Sequence, residues 1–245
     1  MRTSSPAARS CSPVWLGLAA ALTSLIAGCS SAGLTAATAS LPPTLAAKPS
    51  PTALSGLQLA GILLPASAMP EGYKAGPATR NSGSQLASDA AQPVPASQVC
   101  QGLTQSSYIR VAGITTSVWA EDDYVNAVEN QEVFGEIDTF TGTDAQQAMA
   151  KLWREFGECS AFSYPSNGTI ATNTLTRSRL PGTGDNGIKA VIVSPLFEGG
   201  TTLVAIRVGS QIITTLESSP GEDLGSPALG YAERIEQRLR AAQRG

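Results

Sequence analysis

Residues 188–218 read IKAVIVSPLFEGGTTLVAIRVGSQIITTLES. The runs Ile188 to Ser194, Thr201 to Val208 and Gln211 to Ser218 are rich in β-branched side chains, and the last two meet at Gly209-Ser210. Branched side chains suit a pleated surface and glycine suits a tight turn, so the stretch predicts three consecutive antiparallel strands, a meander. Working outward, Ser160 to Tyr164 and Thr169 to Leu175 flank Ser166-Asn167-Gly168, where the Asn-Gly pair is a hairpin signal. In Gln131 to Phe140, Val133, Gly135 and Ile137 alternate with Phe134, Glu136 and Asp138, the period of a strand, and Ile114 to Ala120 has strand character too.

Helical spacing brackets these strands. Thr143 with Gln146 three residues on forms a capping-box pattern, and Ala145, Met149, Leu152, Trp153 and Phe156 fall on one face before Gly157, a C-cap candidate. Ser226 and Pro227 open a closing helix in which Ala228, Ala232, Ile235 and Leu239 recur at helical spacing. Upstream, Ala53 to Leu64 predicts a helix with Leu54, Leu57, Ile62 and Leu64 buried. Pro70 to Gln98 reads as loop, and Val99 to Tyr108 as a short helix carrying Cys100. The expected class is α+β: an antiparallel sheet with helices packed on one face, in two layers, with one disulfide.

The start of the chain predicts its compartment. Arg2 and Arg9 precede an apolar run from Val14 to Ala27, which closes on Ile26-Ala27-Gly28-Cys29. A charged start, a short apolar stretch and small residues before a cysteine make 1–28 a signal peptide resembling a bacterial lipoprotein leader. Cys29 is then the lipidated first residue of the mature chain. Acyl chains contribute ~0.8 kcal/mol per buried methylene, enough for a stable anchor when several are attached. Residues 29–52, dominated by Ala, Ser, Thr and Pro, read as a flexible tether, and 53–245 as one domain. The expected location is the extracytoplasmic face of a cell membrane.

Of the four cysteines, Cys11 falls in the leader and Cys29 at the anchor, leaving Cys100 and Cys159. Outside the cytoplasm two such cysteines most often pair, with two free thiols as the alternative. The chain has no histidine, which removes imidazole-based triads and dyads and leaves too few soft ligands for zinc. Lys151 and Lys189 have no serine placed to form a Ser-Lys pair, and Gly182, Gly184 and Gly187 precede a strand rather than the helix a phosphate loop requires. No cofactor, no metal and no catalytic residue are expected. A formal charge of −3 without a basic tract argues against nucleic acid. Between Arg110 and Lys151 every charged residue is acidic: Glu121, Asp122, Asp123, Glu129, Glu132, Glu136, Asp138 and Asp144. That pattern predicts a solvated acidic face, with Trp119, Tyr124, Phe134 and Phe140 largely in the core.

The order of features resembles the PknH-like extracellular sensor domain of actinobacteria. The likeness rests on Leu63-Leu64-Pro65 ending the first helix and on Cys100 in a short helix after a Pro-rich loop. It continues through Ala145 to Cys159 with Trp153, the strand pairs beyond, and the closing helix around Tyr231 to Leu239. The resemblance implies an antiparallel sheet with helices beside a cleft for an unidentified ligand. Kinase-linked members carry two disulfides, whereas the cysteines here allow one. The expected function is a non-catalytic ligand-binding or sensor lipoprotein of the cell envelope, its ligand a small molecule, glycan, lipid or protein. A lipid or glycolipid carrier and a histidine-free hydrolase are the alternatives.

Overall fold

A computed structural model describes residues 54–76, 81–83, 94, 98–166, 169–195, 199–219 and 226–244. The leader, Cys29, the tether and the Asn167-Gly168 turn lie outside these residues. The helices are α1 (Gly56–Ile62), α2 (Val99–Gly102), α3 (Asp144–Glu158) and α4 (Ser226–Ala242), with a 3-10 turn at Tyr108–Ala112. The strands are β1 (Lys74–Ala75), β2 (Asn81–Gly83), β3 (Val118–Asn126), β4 (Gln131–Thr139), β5 (Ala161–Ser166), β6 (Thr169–Leu180), β7 (Asn186–Val193), β8 (Gly200–Val208) and β9 (Gln211–Ser219). All pair antiparallel in one sheet of order β1-β3-β4-β9-β8-β7-β6-β5, with β2 also on the outer edge of β3. The meander β7-β8-β9 is its centre, and Gly209 turns the last hairpin with φ of 60°. Ser166 pairs with Thr169, the register that a two-residue hairpin turn produces.

The α+β class and the disulfide are as expected, but the helices occupy both faces of the sheet instead of one. Strand β8 shows why. Leu203 and Ala205 join a core with Met149, Leu152 and Phe156 of α3, while Val204, Ile206 and Val208 join a second core with Leu59 of α1 and Tyr231, Ile235 and Leu239 of α4. Successive side chains of a strand point to opposite faces, so two apolar sets on one strand need two covering layers. The acidic residues follow the same geometry. The predicted solvated face is overturned for half of its residues: Asp122, Glu136 and Asp138 are fully buried and Asp123 nearly so, whereas Glu129 and Glu132 are exposed and Glu121 and Asp144 half-buried.

Local details correct several other expectations. Leu57 is exposed and Leu59 takes its place in the core, because α1 starts only at Gly56 under a capping box formed by Ser55 and Gln58. At α3 Thr143 makes no side-chain cap; its hydroxyl accepts from Gln147 instead. Gly157 lies inside α3, where its missing Cβ admits the Arg177 guanidinium; Arg177 and Arg179 stack on Trp153 at 4.0 and 3.9 Å. At α4 the Ala228 N–H donates to Glu217 at 2.9 Å, so a carboxylate of β9 serves the helix start. Gly135, opposite Asp122 in the register, lets Tyr231 of α4 lie against the sheet and donate to Asp122 at 2.6 Å; a Cβ there would meet the Tyr231 ring at 2.4 Å. Short strands β1 and β2 occupy part of the segment read as loop.

Cys100 of α2 and Cys159 at the end of α3 form a disulfide with Cα atoms 5.4 Å apart, which sets aside the free-thiol alternative. Closing a loop with a separation of 59 residues removes chain entropy from the unfolded state. In the chain-entropy model this contributes about 4 kcal/mol. Reduction, or Cys100→Ser with Cys159→Ser, is expected to lower the melting temperature by ~8–16 °C. Calorimetry of oxidised and reduced protein checks this, and an unchanged transition would show that α2 does not need its tie to α3.

Candidate functional site

At one end of the sheet, on the face carrying α3, the strands run past the apolar core and their last side chains line an open cleft of about 540 Å³. Its floor is a cross-strand row. Glu132 of β4 pairs with Ser218 of β9, Ser218 with Thr201 of β8, and Thr201 with Ile192 of β7. The Thr201 and Ser218 hydroxyls are 3.4 Å apart. Asn173 of β6 extends this floor, and Tyr164 of β5 and Thr104, just after α2, complete one wall. The opposite wall is the β3–β4 connection, in which Asn126 accepts from the backbone of Val128 and Glu129, and Asn130 holds a φ of 52°. Gln131 is fixed from both sides, accepting from Tyr73 at 2.9 Å and donating to Ser219 at 3.4 Å.

Two properties separate this cleft from the rest of the surface. Its walls are held by neighbours: the disulfide fastens α2 to α3 and thereby sets Thr104, while the hydrogen bonds of Asn126 order the facing turn. Its floor also holds an open valence. Asn173 is 4% exposed, and its side-chain oxygen has no hydrogen-bond partner. A buried amide oxygen without a partner forfeits its hydration, a cost that a ligand N–H or O–H can offset.

A second polar group lies deeper on the same face, shut away from solvent. Glu136 and Asp138 of β4 are both fully buried beneath the 3-10 turn, with Arg110 nearby. Ser107 stands beside Glu136 and Thr116 beside Asp138, yet no carboxylate oxygen of the pair makes a hydrogen bond of ordinary geometry. Burial, reinforced by Asp138 and Glu121, holds the Glu136 carboxyl well above the ordinary carboxylate range. Burial likewise pushes Asp138 up to about 8, against the pull of Arg110. Neither residue lines the cleft.

Of the residues singled out from the sequence, Cys100 and Cys159 are brought together behind the cleft wall, and Cys29 lies outside the described residues. Lys151 and Lys189 are half-buried on separate elements, α3 and β7. The glycine-rich turn at 182–187 is a connector, with Gly184 N–H donating to Glu236 of α4 at 3.1 Å and Asp185 paired with Arg207 and Arg240. Among the described residues no group of three or more His, Cys, Asp or Glu could hold a metal ion. The cleft residues themselves escaped sequence reading. One signal was available: in β6, Asn173 sits between Ala171 and Leu175 on the same face, an amide at an inward position of a strand.

No family model and no curated protein matches the chain by sequence. In three dimensions it is similar to the extracellular domain of PknH from Mycobacterium tuberculosis, with a TM-score of 0.58. The chain has that fold. The superposition covers 78% of this chain and 100% of that domain at 12% sequence identity, a likeness of fold alone.

The buried pair makes stability depend on pH. A carboxyl whose folded pKa is raised binds its proton more readily in the folded state, so its contribution is present below the unfolded value near 3.8 and lost as pH rises through about 8. The melting temperature is therefore expected to fall between pH 5 and pH 8.5, and Asp138→Asn, which cannot ionise, to flatten that fall. Thermal melts across this range check it; a wild-type profile rising with pH, unaltered by the substitution, would contradict it.

Proposed function

We propose that this chain is a membrane-tethered, extracytoplasmic binding or sensor protein without catalytic activity, whose ligand seats in the cleft at the end of the sheet. The observation that carries the reading is the cleft itself, a walled concavity whose floor includes Asn173, a buried amide with an unpartnered oxygen. A volume of about 540 Å³ lies within the ~300–1,000 Å³ usual for ligand clefts. The fold likeness to an extracellular domain agrees with export, and the lipoprotein-like leader with attachment through Cys29.

The alternatives fit the geometry less well. A hydrolase generally sets an acid against a base, whereas the chain has no histidine, Glu132 is the cleft's one carboxylate among the described residues, and the close pair Glu136 and Asp138 is sealed in the interior. A lipid carrier needs an apolar cavity between sheet and helices, but both layers there are filled by side chains, and the cleft is open to solvent at the end of the sheet. Among the described residues no helix is long and apolar enough to cross a membrane.

Two measurements test the two halves of the proposal. Cys29→Ala is expected to move the protein from the membrane to the soluble fraction, or to leave it unprocessed, with the domain folded; unchanged processing and membrane retention would refute the anchor. For binding, cell-envelope extract is expected to raise the melting temperature of the full-length protein. Ala127→Trp, which fills the cleft from an exposed turn, is expected to keep its own melting temperature and lose that rise. Equal stabilisation of both proteins, or of neither, would refute the cleft as the ligand site.

A further inference from the structure

We infer that the cleft takes a neutral, polyhydroxylated chain, either a free oligosaccharide or the sugar head of a glycolipid. The inference rests on the cleft being the ligand site and concerns the chemical class it selects.

Among the described residues the cleft has no lysine or arginine, and Glu132 is its one carboxylate. A phosphate or carboxylate ligand would give up hydration without meeting a countercharge, and would face the Glu132 charge as well. An apolar ligand fails for the converse reason. It would cover the Thr201 and Ser218 hydroxyls and leave the Asn173 oxygen as unpartnered as it is now.

What the lining holds fits hydroxyl groups. Serine and threonine hydroxyls and the amides of asparagine and glutamine both donate and accept, and a sugar hydroxyl does the same, so each contact can be satisfied in either sense. The floor sets such groups out at a regular interval. Glu132, Ser218 and Thr201 lie directly opposite one another on β4, β9 and β8, spaced by the ~4.8 Å between neighbouring strands. An extended ligand crossing the strands meets one polar side chain on each of β4, β9 and β8, and Asn173 of β6 lies one row further toward the end of the sheet. Tyr164 on the wall, half-buried, supplies apolar surface for the C–H faces of sugar rings.

The test uses the full-length protein in a detergent without a sugar head, titrated calorimetrically with maltohexaose, α-mannohexaose, α-arabinohexaose and cellohexaose. Parallel titrations use phosphatidylglycerol vesicles with and without digalactosyl diacylglycerol, and inorganic phosphate. At least one oligosaccharide, or the galactolipid vesicles alone, is expected to saturate at millimolar concentration or tighter, while phosphate and plain vesicles do not. Saturation by a free oligosaccharide identifies a glycan chain as the source, and saturation by galactolipid vesicles alone identifies a glycolipid head. Ser218→Ala, a small change at a half-buried position, and Asn173→Leu are each expected to weaken that binding roughly five- to tenfold, as the loss of one hydrogen bond does. Binding that both variants leave unchanged would overturn the inference. So would failure of every oligosaccharide and of the galactolipid. If envelope extract then still stabilises wild type but not Ala127→Trp, only the ligand class is wrong; if that difference is absent too, the cleft is not the ligand site.

Discussion

The structure depends on one constraint: the centre of its sheet is covered on both faces. Strands β4, β9 and β8 carry apolar side chains toward α3 on one side and toward α1 and α4 on the other, so polar residues within the covered stretch have no solvated face to occupy. Burial of Glu136 and Asp138 of β4 follows directly, and Asp122 of the adjoining β3 is covered by Tyr231 of α4. The three are handled differently. Asp122 accepts from Tyr231 at 2.6 Å, and that contact exists because Gly135 leaves space for the tyrosine ring. Glu136 and Asp138 have only nearby hydroxyls and Arg110, and burial holds both toward the protonated form. The interior thus stores a proton-linked cost beside a well-packed core.

The same layering makes the cleft. Where α3 and the 3-10 turn stop covering the sheet, the strands continue, and their side chains change from apolar to polar: Leu216 gives way to Ser218, Leu203 to Thr201, Leu175 to Asn173. Each pair lies two residues apart on one strand and therefore on one face. The core and the cleft floor are one continuous surface, dry at one end and open at the other. The disulfide belongs to this boundary, since it holds α2 against α3 and so sets Thr104 at the cleft wall.

The likeness to the extracellular domain of PknH speaks to this framework and not to the lining. At 12% identity two chains can share a layered sheet while presenting different side chains at its end, because a core asks for volume and periodicity and a binding site asks for particular groups. The functional reading accordingly stands on the local chemistry of the cleft.

By itself, the sequence determined what depends on neighbours along the chain. The meander, the β5-β6 hairpin register, the apolar stripes of α3 and α4, and the availability of Cys100 and Cys159 for one bond were all legible, because a period of 2 or of 3.6 is a local property. Tertiary structure decided what depends on coverage. Whether Glu136 meets water or the underside of a 3-10 turn is settled by residues far away in the chain, and an alternation of valine with glutamate reads the same in both cases. The second helical layer was hidden for that reason, and so was the cleft. Thr201, Ser218 and Asn173 are unremarkable strand residues until β9, β8, β7 and β6 are set side by side, and only the folded sheet gathers them on one floor.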